Sequence, residues 1–234
     1  IALWQVAVDQ GWVQRIAVAS PSDTVRYISA NFSYLAENTG ATLYEIAIGF
    51  AIAMGVGITL GILISQFKIL EESLLPLLVI SQVIPTIAIA PVLVLLLGFG
   101  DLPKIVTAAS IAFFPALINT ISGLESADEN MQNLGRSLGA SKLETLRRIM
   151  VPNALPYIFA GARVSIALCV IGAVVGEFVT ADKGLGYLVL QGSSTIDAAQ
   201  IFAALVFLAI IGVGLFTIVR LIERWAIPWA HVKS

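Results

Sequence analysis

Residues that could carry out chemistry are scarce in this chain of 234 residues. It has one histidine, His231, and one cysteine, Cys169. A single Cys and a single His supply neither a disulfide within one chain nor a zinc site. The sequence also lacks a G-x-x-x-x-G-K-[ST] phosphate loop, so the chain cannot hydrolyse ATP by itself. We therefore expect no catalytic residue, no metal site and no cofactor bound by this chain.

Two charged residues, Arg163 and Glu177, fall within one apolar segment. A charge at membrane depth is a candidate functional residue. Their separation along a helix is roughly 21 Å, which is too far for an ion pair. We expect Arg163 to reach the membrane interface or to cap backbone carbonyls. We expect Glu177 to meet Lys183, another helix or a second subunit, and the alternative for both charges is a gating or path-lining role.

The composition places the chain in a membrane. It is 58% hydrophobic and 12% charged, whereas soluble domains carry roughly 25% charged residues. A net charge of −2 predicts no nucleic-acid partner. Because a spanning helix needs roughly 20 apolar residues, we predict an all-α membrane protein, one domain over 1–234, with five transmembrane helices. These are 42–65, 74–97, 105–124, 155–180 and 199–222, and the opening residues IALWQVAV indicate a sixth helix ahead of residue 1.

The second predicted span contains Pro76, Pro85 and Pro91, each of which removes a backbone donor. Broken backbone at membrane depth must pack against protein or line a cavity. The pattern favours equally a kinked packing helix and a helix on the translocation path. Our candidates for path-lining residues are Ser81, Gln82, Pro85, Thr86 and Glu177; the alternative for the polar side chains at the break is hydrogen bonding between helices.

Small residues recur at four-residue spacing in the first and fourth spans. Such ladders let helix backbones approach closely, and they predict a tightly packed bundle with a subunit interface. Cys169 is then a packing residue. The ladders are Gly49, Ala53, Gly57 and Gly61, followed by Gly161, Ser165, Cys169 and Ala173.

The polar segment 125–154 interrupts the apolar pattern. Ser141 and Glu144 form a capping-box signature, and Pro152 predicts the end of the helix that Ser141 begins. The pattern predicts two amphipathic helices joined at Gly139 and lying at the membrane surface, either as a docking loop or as a mere connection. The first helix carries its apolar face at Met131, Leu134 and Leu138.

Basic residues set the orientation of the bundle. If 125–154 faces the cytoplasm, the C-terminus does too, and eight Lys and Arg residues gather on that side. The opposite side receives four. We expect the charges that fall on that side at Asp101, Asp182, Lys183 and Asp197 to be solvated loop charges, with contact to a partner protein as the alternative. The cytoplasmic set is Lys68, Arg136, Lys142, Arg147, Arg148, Arg220, Arg224 and Lys233; the other is Arg15, Arg26, Lys104 and Lys183.

The same loop resembles the inner loop of permeases of binding-protein-dependent ABC importers. That family has the pattern E-A-A, three residues, G, nine residues, I-x-L-P. Gly139, Ile149 and Pro152 match it, with Asn133 in place of the glutamate. The resemblance covers essentially the whole chain and is closest to the branch importing nitrate, taurine, sulfonates or vitamin precursors. Further matches are Pro-Ser at 21–22, Gly-Phe-Gly at 98–100, Ala-Gly-Ala-Arg at 160–163 and Gly-Leu-Gly-Tyr at 184–187.

The resemblance implies a type I ABC importer permease in a bacterial inner membrane. It implies a cytoplasmic ABC ATPase dimer that binds ATP and Mg²⁺, a second permease copy, an extracytoplasmic binding protein and membrane lipid as partners. The substrate would be a small anion or a small organic solute such as a vitamin precursor. Because Asn133 cannot form a salt bridge, docking would rest more on shape and on Arg136. The implied ATPase-coupling residues are Asn133, Arg136, Gly139, Ala140, Ser141, Ile149 and Pro152.

The alternative function is a secondary transporter or channel that works without ATP. Such a protein usually has an internal repeat and charged coupling sites at the membrane midplane, and neither is visible in the sequence. An intramembrane enzyme would need a Ser/His, paired-Asp or His-rich set within the apolar segments, and the single His lies outside them.

Overall fold

A computed structural model describes residues 2–10, 18–180 and 182–231. All of the regular elements within these ranges are helices. They are α1 (Ala2–Asp9), α2 (Pro21–Ala30), α3 (Phe32–Gln66), α4 (Lys68–Ser81), α5 (Thr86–Leu97), α6 (Asp101–Glu125), α7 (Glu129–Ser137), α8 (Lys142–Thr145), a π-helical turn (Leu146–Met150), α9 (Val151–Thr180), α10 (Leu185–Thr195), α11 (Ala198–Ala226) and a 3₁₀ turn (Pro228–His231).

Four helical runs in this described part are long and apolar enough to cross a membrane: α3, α6, the run Lys142–Thr180 and α11. A fifth span is formed if the bent pair α4 and α5 is taken as one. The prediction of an all-α protein with five spans is therefore confirmed. The predicted span 42–65 lies within α3, which is longer and begins at Phe32, and α2 precedes it. The serine at position 20 caps α2 and Pro21 occupies its first turn, so this polar stretch is helical without being apolar.

The prolines of the second span have unequal effects. Pro76 lies within α4 and Pro91 within α5, and neither ends its helix. The chain breaks only between α4 and α5, where the two helix axes differ by 95°. There the bonds Gln82 N–H to Val79 O and Val83 N–H to Ile80 O span three residues, which tightens the last turn before Pro85. Of the three prolines that were expected to interrupt the helix, only Pro85 lies at a break in this span.

The chain divides by its internal contacts into two compact units. The first comprises 1–49, 87–108 and 170–214. Within it α9 packs closely on α6, because a Cβ added at Gly172 would lie 2.6 Å from the Cα of Ala108. Gly176 approaches the backbone of Lys104 in the same way.

The second unit comprises 50–86, 109–169 and 215–234. Here the predicted ladders mark contacts within the chain. A Cβ at Gly57 or Gly61 would lie 2.8 Å from side-chain atoms of α6, and Gly161 meets α6 at the same distance. Ser165 donates a hydrogen bond of 2.6 Å to the carbonyl of Ala112. Small residues thus bring α3 and α9 against α6.

Candidate functional site: the 125–154 loop and a buried lysine cluster

The first half of the loop folds as the sequence predicts. Helix α7 ends at Ser137, and Gly139 in the turn that follows has a φ of +84°, the left-handed conformation that glycine adopts without penalty. The Ala140 N–H donates to the carbonyl of Gly135, and the Leu138 N–H donates to that of Leu134. The bond from Ala140 to Gly135 closes a Schellman turn, which satisfies carbonyls that the end of a helix leaves free.

The second half begins with the predicted capping box. The Ser141 N–H donates to Glu144 Oε2 at 2.9 Å, and the Glu144 N–H donates to Ser141 Oγ at 3.3 Å. The predicted end at Pro152 was wrong, because the helix continues into α9. A π-helical turn precedes that proline, and in it the Val151 N–H bonds to the carbonyl of Leu146. The wider turn changes the bonding register just ahead of a residue that has no N–H to donate.

The two halves of the loop pack on each other at a glycine. A Cβ added at Gly135 would lie 3.1 Å from Cδ1 of Ile149, so these two positions of the family pattern are in contact. Thr145 is buried beneath them. The loop is therefore a folded helix pair with a small core of its own.

The loop leaves an apolar surface uncovered. Leu138 is 79% exposed and Leu143 is 72% exposed, and Met131 and Leu134 are each more than half exposed. The exposed side chains of Arg147 and Arg148 belong to the same loop. A hollow of about 290 Å³ is lined by Met131, Arg148, Ile149, Pro152 and Trp229, among others.

The predicted coupling residues lie on both sides of this helix pair. Exposed positions are Asn133, Gly139 and Ser141, and partly buried ones are Ala140, Ile149 and Pro152. The backbone of Arg136 lies in α7, whereas its side chain and that of His231 lie outside the described residues, as do Arg15 and Lys233.

The path-lining candidates at the broken span are accessible. Ser81, Gln82 and Pro85 are exposed and Thr86 is partly buried. The Ser81 hydroxyl donates to the carbonyl of Leu78 in its own helix at 2.6 Å. Glu177, by contrast, is fully buried within the first unit.

The environment of Glu177 is a cluster centred on Lys104. The sequence places Lys104 only among the basic residues on the outer side, whereas the structure buries its side chain completely, at 0% exposed. Its Nζ lies 2.6 Å from Asp182 Oδ1, 3.1 Å from Glu45 Oε1 and 3.7 Å from Asp101 Oδ1. Asp101 also pairs with Lys183 at 3.1 Å. A buried ammonium needs such partners, since an unpaired charge in the interior is costly.

Glu177 holds the start of α10. The Thr42 hydroxyl donates to Glu177 Oε1 at 2.6 Å, and the Gly186 N–H donates to Oε2. Thr42 Oγ1 also accepts the Leu185 N–H at 2.8 Å. These contacts with α3 and α10 match the expectation that Glu177 meets another helix. The orphan donors at the start of α10 are thereby satisfied by side chains.

Lys104 also lowers the pKa of Asp182, which lies between α9 and α10 and outside the membrane-spanning helices. Burial raises its pKa, but the hydrogen bond and the charge of Lys104 outweigh that effect, so the pKa of Asp182 lies below its ordinary value.

Arg163 meets an acidic partner in the second unit. Its Nη1 lies 3.2 Å from Oε2 of Glu223 in α11, and the Arg163 side chain is 34% exposed while that of Glu223 is 7% exposed. Arg163 therefore joins α9 to α11 through an ion pair, a partner that the sequence did not indicate.

The comparisons with known proteins fit this geometry. Residues 53–231 match the family described as the inner membrane component of binding-protein-dependent transport systems. The chain belongs to this family. It is similar to the formylaminopyrimidine transport permease protein ThiX of Halalkalibacterium halodurans, with 35% identity over 92% of this chain and 87% of the relative. It is also similar to the riboflavin transport system permease protein RibX of Chloroflexus aurantiacus, with 36% identity over 98% of this chain and 86% of the relative.

The fold agrees with the family assignment. A chain of the MetNI methionine ABC transporter in an inward-facing conformation superposes with a TM-score of 0.74, at 20% sequence identity, and covers 83% of this chain and 97% of that one. The protein is thus a transmembrane permease subunit of an ABC importer, and the ATPase is a separate subunit. The expectation that this chain is not an enzyme is confirmed by its family, and the ATP-independent transporter is not favoured.

Sequence reasoning missed the Lys104 cluster of the permease. Lys104 follows the Gly-Phe-Gly turn at 98–100, and there it resembles any charged residue at the end of a span. Its partners Glu45 and Asp182 lie on distant parts of the chain. The available signal was Glu45, a carboxylate within the apolar stretch 42–65, which must find a partner at membrane depth.

Proposed function

We propose that the loop of residues 133–152 is the surface through which this permease couples to its ATPase. The observation that carries the proposal is a folded helix pair whose large apolar side chains stay exposed, chiefly Leu138 and Leu143. Exposed apolar side chains rimmed by charges are typical of a protein interface. Arg147 and Arg148 supply the rim, so the facing groove would be apolar with acidic residues at its edge.

Asn133 stands where the family has glutamate, which would remove one ion pair from the interface. Leu134 on α7 and Leu138 just after its end are more than half exposed. Apolar contact at these two positions would therefore supply most of the docking energy, since buried side chains dominate interface energetics.

Co-purification in detergent with the cognate ATPase tests this proposal. We expect Leu138→Asp to lower ATPase binding by about tenfold or more, because burying an unpaired carboxylate in an interface is costly. The matched control is Ile69→Asp, since Ile69 in α4 is also 79% exposed and lies outside the loop. Equal ATPase binding by both variants and the unchanged chain would refute the assignment of the loop.

The substrate is inferred from the relatives of this permease and from the polar side chains at the broken span. The relatives ThiX and RibX are named for formylaminopyrimidine and riboflavin. We infer that this permease imports a small organic solute, with a nitrogen heterocycle of the vitamin-precursor type first and a small anion second. The exposed Ser81 and Gln82 at the broken span would offer hydrogen bonds to such a solute.

Uptake of labelled solutes through the reconstituted transporter tests the substrate. We expect a pyrimidine precursor or riboflavin to be taken up and nitrate or taurine to be excluded. Uptake of nitrate or taurine alone would show that the substrate is a small anion and not a nitrogen heterocycle. Gln82→Ala should change the Michaelis constant or the rate for the imported solute, while Ile69→Ala should change neither.

The permease would work as a homodimer with its C-terminus in the cytoplasm. The region at the end of α5 exposes Leu95 at 85% and Phe99 at 84%, which in the transporter would meet lipid or the second copy. Native mass spectrometry of the complex should show two permeases and two ATPases. A single permease, or two different ones, would contradict the homodimer.

A further inference from the structure

A cavity of about 360 Å³ lies between the end of α3 and the 125–154 loop, within the second compact unit. Its volume falls in the range of pockets that bind small ligands, about 300–1,000 Å³. Polar side chains line it from both elements: Ser65 and Gln66 from α3, and Gln132, Lys142 and Thr145 from the loop. The cavity is therefore a candidate binding site that is distinct from the exposed apolar surface of the loop.

The charge on the wall of this cavity is positive. Lys142 supplies it, and none of the described residues that line the cavity is acidic. A wall with an ammonium group and no carboxylate favours an anion over a cation. Lysine binds phosphate groups as a point charge, and a phosphate group offers several acceptor oxygens to the donors around it.

Thr145 brings a buried hydroxyl to the cavity. The residue is 4% exposed, and its Oγ1 has no hydrogen-bond partner in the part of the chain that the structure describes. Its N–H is already bonded to the carbonyl of Ser141 at 2.9 Å. Because buried polar groups are nearly always hydrogen-bonded, this hydroxyl calls for a partner from outside the chain. A single water would satisfy the hydroxyl but would leave the Lys142 ammonium without a counter-charge.

Two glutamine amides add further donors. Gln132 Nε2 donates to the carbonyl of Ala127 at 3.1 Å, which uses one of its two N–H groups. Gln66 is exposed at the end of α3, and its Nε2 lies 3.4 Å from Ser65 Oγ. That hydrogen bond is long, so a better acceptor would readily replace it. Donors from α3, α7 and α8 thus line one cavity.

We propose that this cavity binds a phosphate group, held by the Lys142 ammonium, the Thr145 hydroxyl and the amides of Gln66 and Gln132. The phosphate belongs either to a small soluble anion or to the headgroup of an anionic phospholipid, and the recognition chemistry is the same for both. A bound phosphate ties both halves of the loop to the end of α3. The proposal does not rest on the coupling role of the loop, since it concerns the permease without its ATPase.

Hydrogen exchange over 129–150 in the purified full-length permease tests this inference and separates the two sources of phosphate. One sample, in nanodiscs of phosphatidylcholine alone, is titrated with inorganic phosphate. A second sample, in equimolar phosphatidylglycerol and phosphatidylcholine, is measured without phosphate. Slower exchange in the first sample identifies a soluble anion, and slower exchange only in the second identifies a lipid headgroup. Unchanged exchange in both samples would show that the cavity binds no phosphate.

Variants of Lys142 test the proposed ligands. We expect Lys142→Gln to weaken the protecting effect by about fivefold, the usual scale for an accessible ion pair, and Lys142→Arg to restore most of it. The matched control is Arg147→Gln, which removes one exposed positive charge from the same loop and should leave the protection unchanged. Equal losses in Lys142→Gln and Arg147→Gln would reduce the effect to general charge attraction and overturn the site.

Thr145→Val separates binding from packing, because valine keeps the shape of threonine and removes the hydroxyl. We expect weaker protection by the anion, with a thermal midpoint of the anion-free permease that is equal or higher, since a buried donor without a partner is costly. A lower midpoint with unchanged protection would show that the hydroxyl serves the fold and not a ligand.

Discussion

At the scale of single residues, the Lys104 cluster shows how a membrane protein buries charge. Lys104 is surrounded by three carboxylates, and Glu177 is supplied with two donors. Position 184, just before α10, has no room for extra atoms, because a Cβ at Gly184 would overlap the Glu177 carboxyl. The need for glycine at position 184 is therefore set by the packing of the Glu177 carboxyl.

Gly184→Ala tests that packing. Gly184 has φ +111° and ψ 170°, a region that glycine alone occupies readily, and a side chain there costs about 1–3 kcal/mol before any clash. We expect a clear fall in the thermal midpoint of the purified permease. The matched control is Gly40→Ala within α3, where an added Cβ would meet no atom within 4 Å beyond the local backbone of its own helix. A thermal midpoint of Gly184→Ala equal to that of Gly40→Ala would contradict the packing argument.

Asp182→Asn tests the ion pair with Lys104. The pKa of Asp182 is lowered in the folded protein, so its stabilising effect is present above the unfolded pKa, about 3.9, and is lost as the pH falls through the lower folded pKa. We expect the variant to be less stable than the unchanged protein by an amount that is constant between pH 5 and 8. Glu37→Gln, at an exposed position on α3, serves as the control; a penalty for Asp182→Asn that disappears near pH 5 would show that the pKa is not lowered.

At the scale of elements, the 125–154 loop was largely predictable because its signals are local. The left-handed glycine at position 139 and the capping box at Ser141 and Glu144 each involve residues within a few positions of one another. The continuation of the helix past Pro152 was not predictable, since it depends on a π-helical turn that the sequence pattern does not mark. Lys104 was missed for a related reason, because its partners are far away in sequence.

Two glycines of the loop should respond in opposite directions to alanine. Gly135→Ala should stabilise α7 by about 0.5–1 kcal/mol, because helical alanine is favoured and only the flexible end of Ile149 must shift. Gly139→Ala should destabilise the loop by about 1–2 kcal/mol, because its φ is +84°. Hydrogen exchange over 129–150 measures both changes, and changes of the same sign would contradict the Schellman turn.

At the scale of the whole molecule, the orientation proposed from the basic residues can be tested with thiol chemistry. Cys169 is fully buried, so the unchanged permease should give no labelling with a membrane-impermeant maleimide. Ser141→Cys in the loop should react only after the cells are opened, and Ser194→Cys in α10 should react in intact spheroplasts. Both positions are exposed, and the reverse labelling pattern would invert the proposed topology.

The most direct test of the central claim is ATP-driven uptake into proteoliposomes that contain the permease and its ATPase, with substrate-loaded binding protein supplied on the opposite side. If the loop couples the permease to its ATPase, uptake should require ATP, fall by about tenfold or more in Leu138→Asp, and survive in Ile69→Asp. Uptake driven by an ion gradient without ATP, or full ATP-driven uptake by Leu138→Asp, would contradict the claim that this loop couples the permease to ATP hydrolysis.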